Sequence, residues 1–130
     1  MQIVNLMTPD PVTIGPLESL SKAKMIMDEG RFRRLPVVEN GQLVGILTER
    51  DLKQHTGALA VTRVNAAMRT QLVTITQYST VEDAARLLLK HKIGGLPIVA
   101  DGRLVGIVTT TDLLKAFLQV VEGANQIMAP

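Results

Sequence analysis

Eighteen residues, Leu35 to Leu52 (LPVVENGQLVGILTERDL), return 61 positions later as Leu96 to Leu113 (LPIVADGRLVGIVTTTDL), with 11 pairs identical and no insertion or deletion. The offset reaches further, since 16 of the 48 pairs from Met7/Met68 to Gln54/Lys115 are identical. A repeat of this kind restricts the fold more than any composition does. Each copy is one supersecondary unit whose apolar face must be buried against a neighbour. The expected divisions are a first repeat over 1–62, a second over 63–122 and a tail over 123–130.

Within each copy, branched apolar residues flank a turn dipeptide, Asn40-Gly41 or Asp101-Gly102. Both dipeptides tolerate positive φ at the two central positions, which predicts a two-residue hairpin. Pro36 and Pro97 are expected at the strand starts, where a missing N–H is tolerated. Gly45 and Gly106 interrupt the return strand at one register, a sign of close approach by another backbone or by a ligand. Val12-Thr13-Ile14 and Val73-Thr74-Ile75 read as short strands. Pro9 and Pro11 forbid a helix just before the first of them.

Helices are expected from Ser19 to about Gly30, with Leu20, Ala23, Ile26 and Met27 inward, and from Thr80, with Val81, Ala84, Ala85 and Leu88 inward. Met25 and Met27 read as core filler rather than ligands. A short helix should cover Glu49 to Gln54 and a longer one Thr110 to Val121, with His55 to Arg63 linking the copies. Each unit is then strand–helix–strand–strand–helix. The fold class is α+β: two β-α-β-β-α repeats about a pseudo-twofold axis, with three-stranded sheets packed face to face. The crossover from first to second strand should be right-handed.

Both return strands end in Thr-x-x-Asp, at Thr48–Asp51 and Thr109–Asp112. One reading is a helix cap, in which the hydroxyl accepts from the amide three residues on and the carboxylate faces the dipole. The other is a ligand corner. Free N–H groups at a helix start favour phosphate, threonine supplies a hydroxyl, and aspartate can accept from two ribose hydroxyls. Both corners should face a cleft between the repeats, a preferred place for small ligands.

The chain of 130 residues is 46% hydrophobic and 20% charged, long enough for a substantial core. It has no cysteine, which excludes disulfides and thiolate metal sites and suits a reducing cytoplasm. The N-terminus lacks the pattern of a signal peptide, and no run has the length of a membrane span. A net charge of +2 and three aromatics (Phe32, Tyr78, Phe117) offer little to nucleic acid. The cations Arg31, Arg33 and Arg34 suit a small anion better, their other reading being a solvated face. No catalytic set is evident: His55 and His91 stand alone, and Gly94-Gly95 lacks the rest of a Walker loop. The expectation is a binding module, not an enzyme, with no required cofactor or metal.

The motifs Met7-Thr-x-x-Pro-Val-Thr-Ile14, Leu35-Pro-Val-Val38, Asn40-Gly41, Leu43-Val-Gly-Ile-Leu-Thr48 and Asp51-Leu52, repeated in order, resemble a tandem pair of cystathionine-β-synthase (CBS) domains, a Bateman module. The resemblance runs from about Ile3 to Val121. Similar pairs occur in IMP dehydrogenase, in the γ subunit of AMP-activated protein kinase and in stand-alone prokaryotic proteins. It implies a regulatory sensor holding an adenosyl ligand, AMP, ADP or ATP, between the repeats. Asp51 and Asp112 would hold ribose, and Thr48 and Thr109 phosphate. Backbone at Thr13-Ile14, Thr74-Ile75, Leu35-Pro36 and Leu96-Pro97 would hold adenine. It also implies a homodimer, for which Leu113, Leu114, Phe117, Leu118 and Val121 are candidates, and a regulated partner protein that the residues do not name. The alternatives are a ligand-free dimerisation or interaction scaffold, or a binder of S-adenosylmethionine, NAD(H) or nucleic acid.

The copies differ where the ligand would lie. The first has Arg34 and Arg50 where the second has Gly95 and Thr111. Arginine clamps phosphate through two parallel bonds, and glycine lets a purine approach the backbone. Asp51's site is therefore expected to grip phosphate more firmly, and Asp112's to leave more room for adenine.

Overall fold

A computed structural model describes residues 1–128. The chain opens with a 3₁₀ turn at Ile3–Asn5. Then follow β1 (Thr8–Pro9), α1 (Leu20–Gly30), β2 (Arg34–Glu39), β3 (Gln42–Thr48), α2 (Glu49–Lys53) and α3 (Val64–Ala67). The second half comprises α4 (Val81–His91), β4 (Gly95–Ala100), β5 (Arg103–Thr109) and α5 (Thr110–Met128). The fold is α+β with small antiparallel sheets, β2–β3 in one half and β1–β5–β4 in the other.

Asn40 and Gly41 take φ of 51° and 77°, and Asp101 and Gly102 take 52° and 78°, as the hairpin motif requires. The strands expected at Val12–Ile14 and Val73–Ile75 shrink to single parallel bridges, Ile14 to Val37 and Ile75 to Ile98. The prolines lie inside the strands, with Pro36 opposite Ile46 and Pro97 opposite Ile107. This is tolerated because Pro36 and Ile46 do not use the rung between them. The Pro36 carbonyl accepts from the Ile14 amide at 3.1 Å, and Ile46 exchanges bonds with Arg69 on its far side.

The segment leading into each repeat packs on the other one. Ile3, fully buried, joins Ile75, Ala84, Leu88, Leu96, Ile98 and Val108 in the second core. Val64, also fully buried, joins Ile14, Leu20, Ala23, Met27, Leu35, Val37, Leu47 and Leu52 in the first. The crossing strands explain the paired glycines. A Cβ on Gly45 would stand 3.0 Å from the Arg69 carbonyl oxygen, and one on Gly106 would stand 3.1 Å from that of Thr8. The neighbour is the crossing segment of the other repeat, its backbone together with the side chain of Met68 or Met7. The Leu43 amide also donates to the Gly102 carbonyl at 3.1 Å, so the hairpins meet across the pseudo-twofold axis.

α1 begins at Leu20 with Ser19 as its cap, and α4 begins with the Thr80–Asp83 capping box. Bonds from the Thr80 amide and hydroxyl lower the Asp83 carboxyl below its ordinary value. That capping contribution is therefore present above the ordinary carboxylate pKa and fades as pH falls through the lowered one. Two helix expectations need correction. Met25 is exposed while Met27 is core, because they sit on opposite sides of α1. α5 runs to Met128 rather than stopping near Val121, because an isolated glycine, Gly123, is tolerated within a helix and no proline intervenes. The expected tail is thus helical for most of its length, and residues 129 and 130 lie outside the described ones. No described helix is long and apolar enough to cross a membrane.

Candidate functional site

Because the lead-in segments exchange, each Thr-x-x-Asp corner faces residues of the opposite repeat. Thr109, Thr111 and Asp112 share a cavity of about 710 Å³ with Thr8, Asp10, Pro11, Val12, Arg31, Phe32, Arg33, Arg34 and Pro36. That is within the roughly 300–1,000 Å³ of small-molecule sites. Thr48 and Arg50 line a smaller cavity of about 250 Å³ with Arg34, Arg69, Gln71, Leu72, Val73, Lys92, Gly94, Gly95 and Pro97.

Both expected corners form as helix caps. The Asp112 carboxylate accepts from the Thr109 amide at 2.8 Å and its hydroxyl at 3.0 Å, while the Thr109 hydroxyl oxygen accepts from the Asp112 amide at 3.3 Å. Both bonds to the carboxylate reach a single oxygen, Oδ2. Asp112 forms no ion pair among the described residues. At the other corner Thr48 and Asp51 cap α2 reciprocally, at 2.9 and 3.2 Å. Asp51 is only 5% exposed and is withdrawn from the cavity wall. Its Oδ1 lies 3.6 Å from Arg69 Nε.

The cations fall differently from the expectation. Arg31 takes a left-handed φ of 57° as it leaves α1, and the turn carries Arg31, Arg33 and Arg34 to Asp112's cavity. Arginines of the first repeat therefore face the aspartate of the second, because the two halves clasp head to tail. Arg34 lines both cavities and lies over Gly94 and Gly95, its Cδ 2.7 Å from where a Cβ of Gly95 would stand. Burial lowers its guanidinium pKa, Arg33 acts in the same direction, and Asp112 opposes both. Gly95 and Pro97 belong to the smaller cavity, and Pro36 to the larger.

Thr13, Ile14, Leu35, Thr74, Ile75 and Leu96 line neither cavity. Ile14, Leu35, Ile75 and Leu96 are core residues. The walls come instead from Asp10–Val12 and Gln71–Val73, one to four positions earlier. Asp10-Pro11 and Gln71-Leu72 were missed because their residue types differ between copies. The available signal was position: both dipeptides lie between a paired methionine and a paired Val-Thr-Ile. Among the described residues, no group of His, Cys, Asp or Glu could hold a metal ion.

A pseudo-twofold pair of β-hairpin units, with a cleft beside each Thr-x-x-Asp corner, defines a tandem-repeat module. The CBS domain family model matches twice, over residues 3–56 and 61–119, and the chain belongs to that family. It is 37% identical over 114 residues to the CBS domain-containing protein YhcV of Bacillus subtilis, covering 85% of this chain and 81% of that protein. Similarity to inosine-5'-monophosphate dehydrogenase of Staphylococcus aureus, 37% over 119 residues, covers 89% of this chain and only 23% of the enzyme. The CBS pair of MJ0100, solved with 5'-methylthioadenosine and S-adenosyl-L-methionine, superposes with a TM-score of 0.84 at 29% identity, covering 92% and 97% of the two chains. CBSX2 in complex with AMP gives a TM-score of 0.80 at 30% identity, with the same coverage.

Proposed function

We propose that this chain is a non-catalytic sensor of adenine nucleotides, with Asp112's cavity as the working site. The observation that carries the reading is the opposition, within one cavity, of the Thr109–Asp112 corner and Arg31, Arg33 and Arg34. The free Asp112 oxygen suits ribose hydroxyls, the α5 N-terminus and Thr109 suit phosphate, and the arginines suit phosphate again. Adenosyl ligands in MJ0100 and CBSX2 support the adenosine part. The arginines favour AMP, ADP or ATP over S-adenosylmethionine, whose sulfonium and ammonium groups carry positive charge. A nucleotide bridging the halves shifts their packing only as far as it binds one arrangement better than another.

A thermal-shift series tests this. AMP, ADP and ATP are expected to raise the melting temperature, with about 2.7 kcal/mol added at 100 times the dissociation constant. S-adenosylmethionine is expected to give a smaller shift. Absence of a shift with every adenosyl compound favours the scaffold reading. That alternative has one observation of its own, since the Thr109–Asp112 bonds already satisfy each other as a cap.

A homodimer through α5 belongs to the same proposal. Leu113 packs on the second core, whereas Leu114, Phe117, Leu118 and Val120 are exposed along the helix. Leu118→Glu places a charge in that face and is expected to halve the mass measured by light scattering. An unchanged mass for both proteins at the dimer value places the interface elsewhere.

A further inference from the structure

The two cavities differ most at one position. Thr8 lines the larger and Arg69, its counterpart 61 residues on, lines the smaller. Both are held by backbone pairing on the opposite repeat, Thr8 beside Ile107 and Arg69 beside Ile46. Arg69 is fixed on both sides of its peptide: its amide donates to the Ile46 carbonyl at 2.9 Å and its carbonyl accepts from the Ile46 amide at 3.0 Å. Its side chain meets the Asp51 carboxylate, the single buried charged group of the described chain.

We infer that Arg69 is a built-in counter-ion that keeps Asp51's cleft closed, so that the chain takes one nucleotide rather than two. The inference rests on the reading of Asp112's cavity as a nucleotide site. A buried carboxylate is costly without a cation, and neutral ribose hydroxyls do not replace that charge. Arg69 therefore has reason to stay, although half of its side chain is exposed. Asp112 is more open and unpaired, and needs no such guard. Arg34 closes the other end of the smaller cleft by lying over Gly94 and Gly95, where a purine would otherwise approach the backbone. Arg69 thus stands at one end of the smaller space and Arg34 at the other, and that space is about 250 Å³ against 710 Å³ for the larger.

Titration calorimetry of the full chain with ATP tests the assignment. The unaltered protein is expected to take one equivalent, and Asp112→Ala to bind it about 10- to 100-fold more weakly. Arg69→Thr, which installs the residue found at the counterpart position, is expected to take two. The double variant Arg69→Thr with Asp112→Ala is expected to take one equivalent tightly, at the newly opened cleft. Arg69→Lys keeps the cation and stays at one, and Arg69→Ser repeats the experiment should the threonine variant fold poorly. Two equivalents in the unaltered protein overturn the inference, as does one equivalent in a folded Arg69→Thr. Weaker binding in Arg69→Thr also overturns it, because Arg69 then serves as a ligand clamp. If the unaltered protein takes none, the reading of Asp112's cavity fails separately. A single equivalent gained in Arg69→Thr then still upholds the closure, and none rejects it.

Discussion

Asp112→Ala is expected to weaken adenine-nucleotide binding by about 10- to 100-fold, corresponding to loss of charge-assisted hydrogen bonds of roughly 1.5–3 kcal/mol. Asp112 holds Thr109 in place through Oδ2, and in the proposed reading its second oxygen accepts from ribose. The substitution also removes half of a cap, so a stability loss of about 1 kcal/mol is expected alongside. Asp112→Asn separates the two effects. It keeps an acceptor for the Thr109 amide but gives up the charge, so the cap should survive better than the affinity. Isothermal titration and thermal melting on the same samples provide both readouts. Unchanged affinity in a folded Asp112→Ala protein would remove this aspartate from the binding site and leave the corner as a cap alone.

Ile3→Ala is expected to cost about 2–5 kcal/mol, the range for removing a large aliphatic side chain from a core. That is a large part of the roughly 5–15 kcal/mol that holds such a domain together. A residue two positions from the N-terminus would ordinarily be dispensable. Here it is fully buried in the second core, and its amide donates to the Ser79 carbonyl at 3.1 Å. Val4, exposed beside it, provides the control: Val4→Ala should lie within about 0.5 kcal/mol of the parent. Denaturant unfolding measures the difference. Equal and small effects would mean that the N-terminal segment does not complete the second repeat.

The duplication, the hairpins and the caps were legible because each depends on neighbours in sequence. Asn40-Gly41 and Asp101-Gly102 adopt the positive φ values their residue types permit, and Thr80 and Asp83 bond across one helical turn. The family, too, is carried by local motifs whose order and repetition are visible without coordinates. Partnership between the halves is not local. Met7 and Met68 occupy matching places in the sequence, yet each crosses to the other repeat and packs over its glycine, Gly106 or Gly45.

That exchange decided the candidate site. Reading each copy by itself put Arg34 with Asp51 and Gly95 with Asp112. The clasp puts Arg33 and Arg34 into Asp112's cavity and sets Arg69 against Asp51. The sequence determined two hydroxyl–carboxylate corners and the helices that begin at them, since residues three apart bond at a helix start wherever it lies. Only the tertiary structure decided which cations face which corner. Those charges come from positions 78 to 81 residues away along the chain for Asp112 and 18 for Asp51, and no periodicity records such meetings. Their positions follow from the packing of one half against the other, which buries Ile3 and Val64 in cores they do not adjoin in sequence.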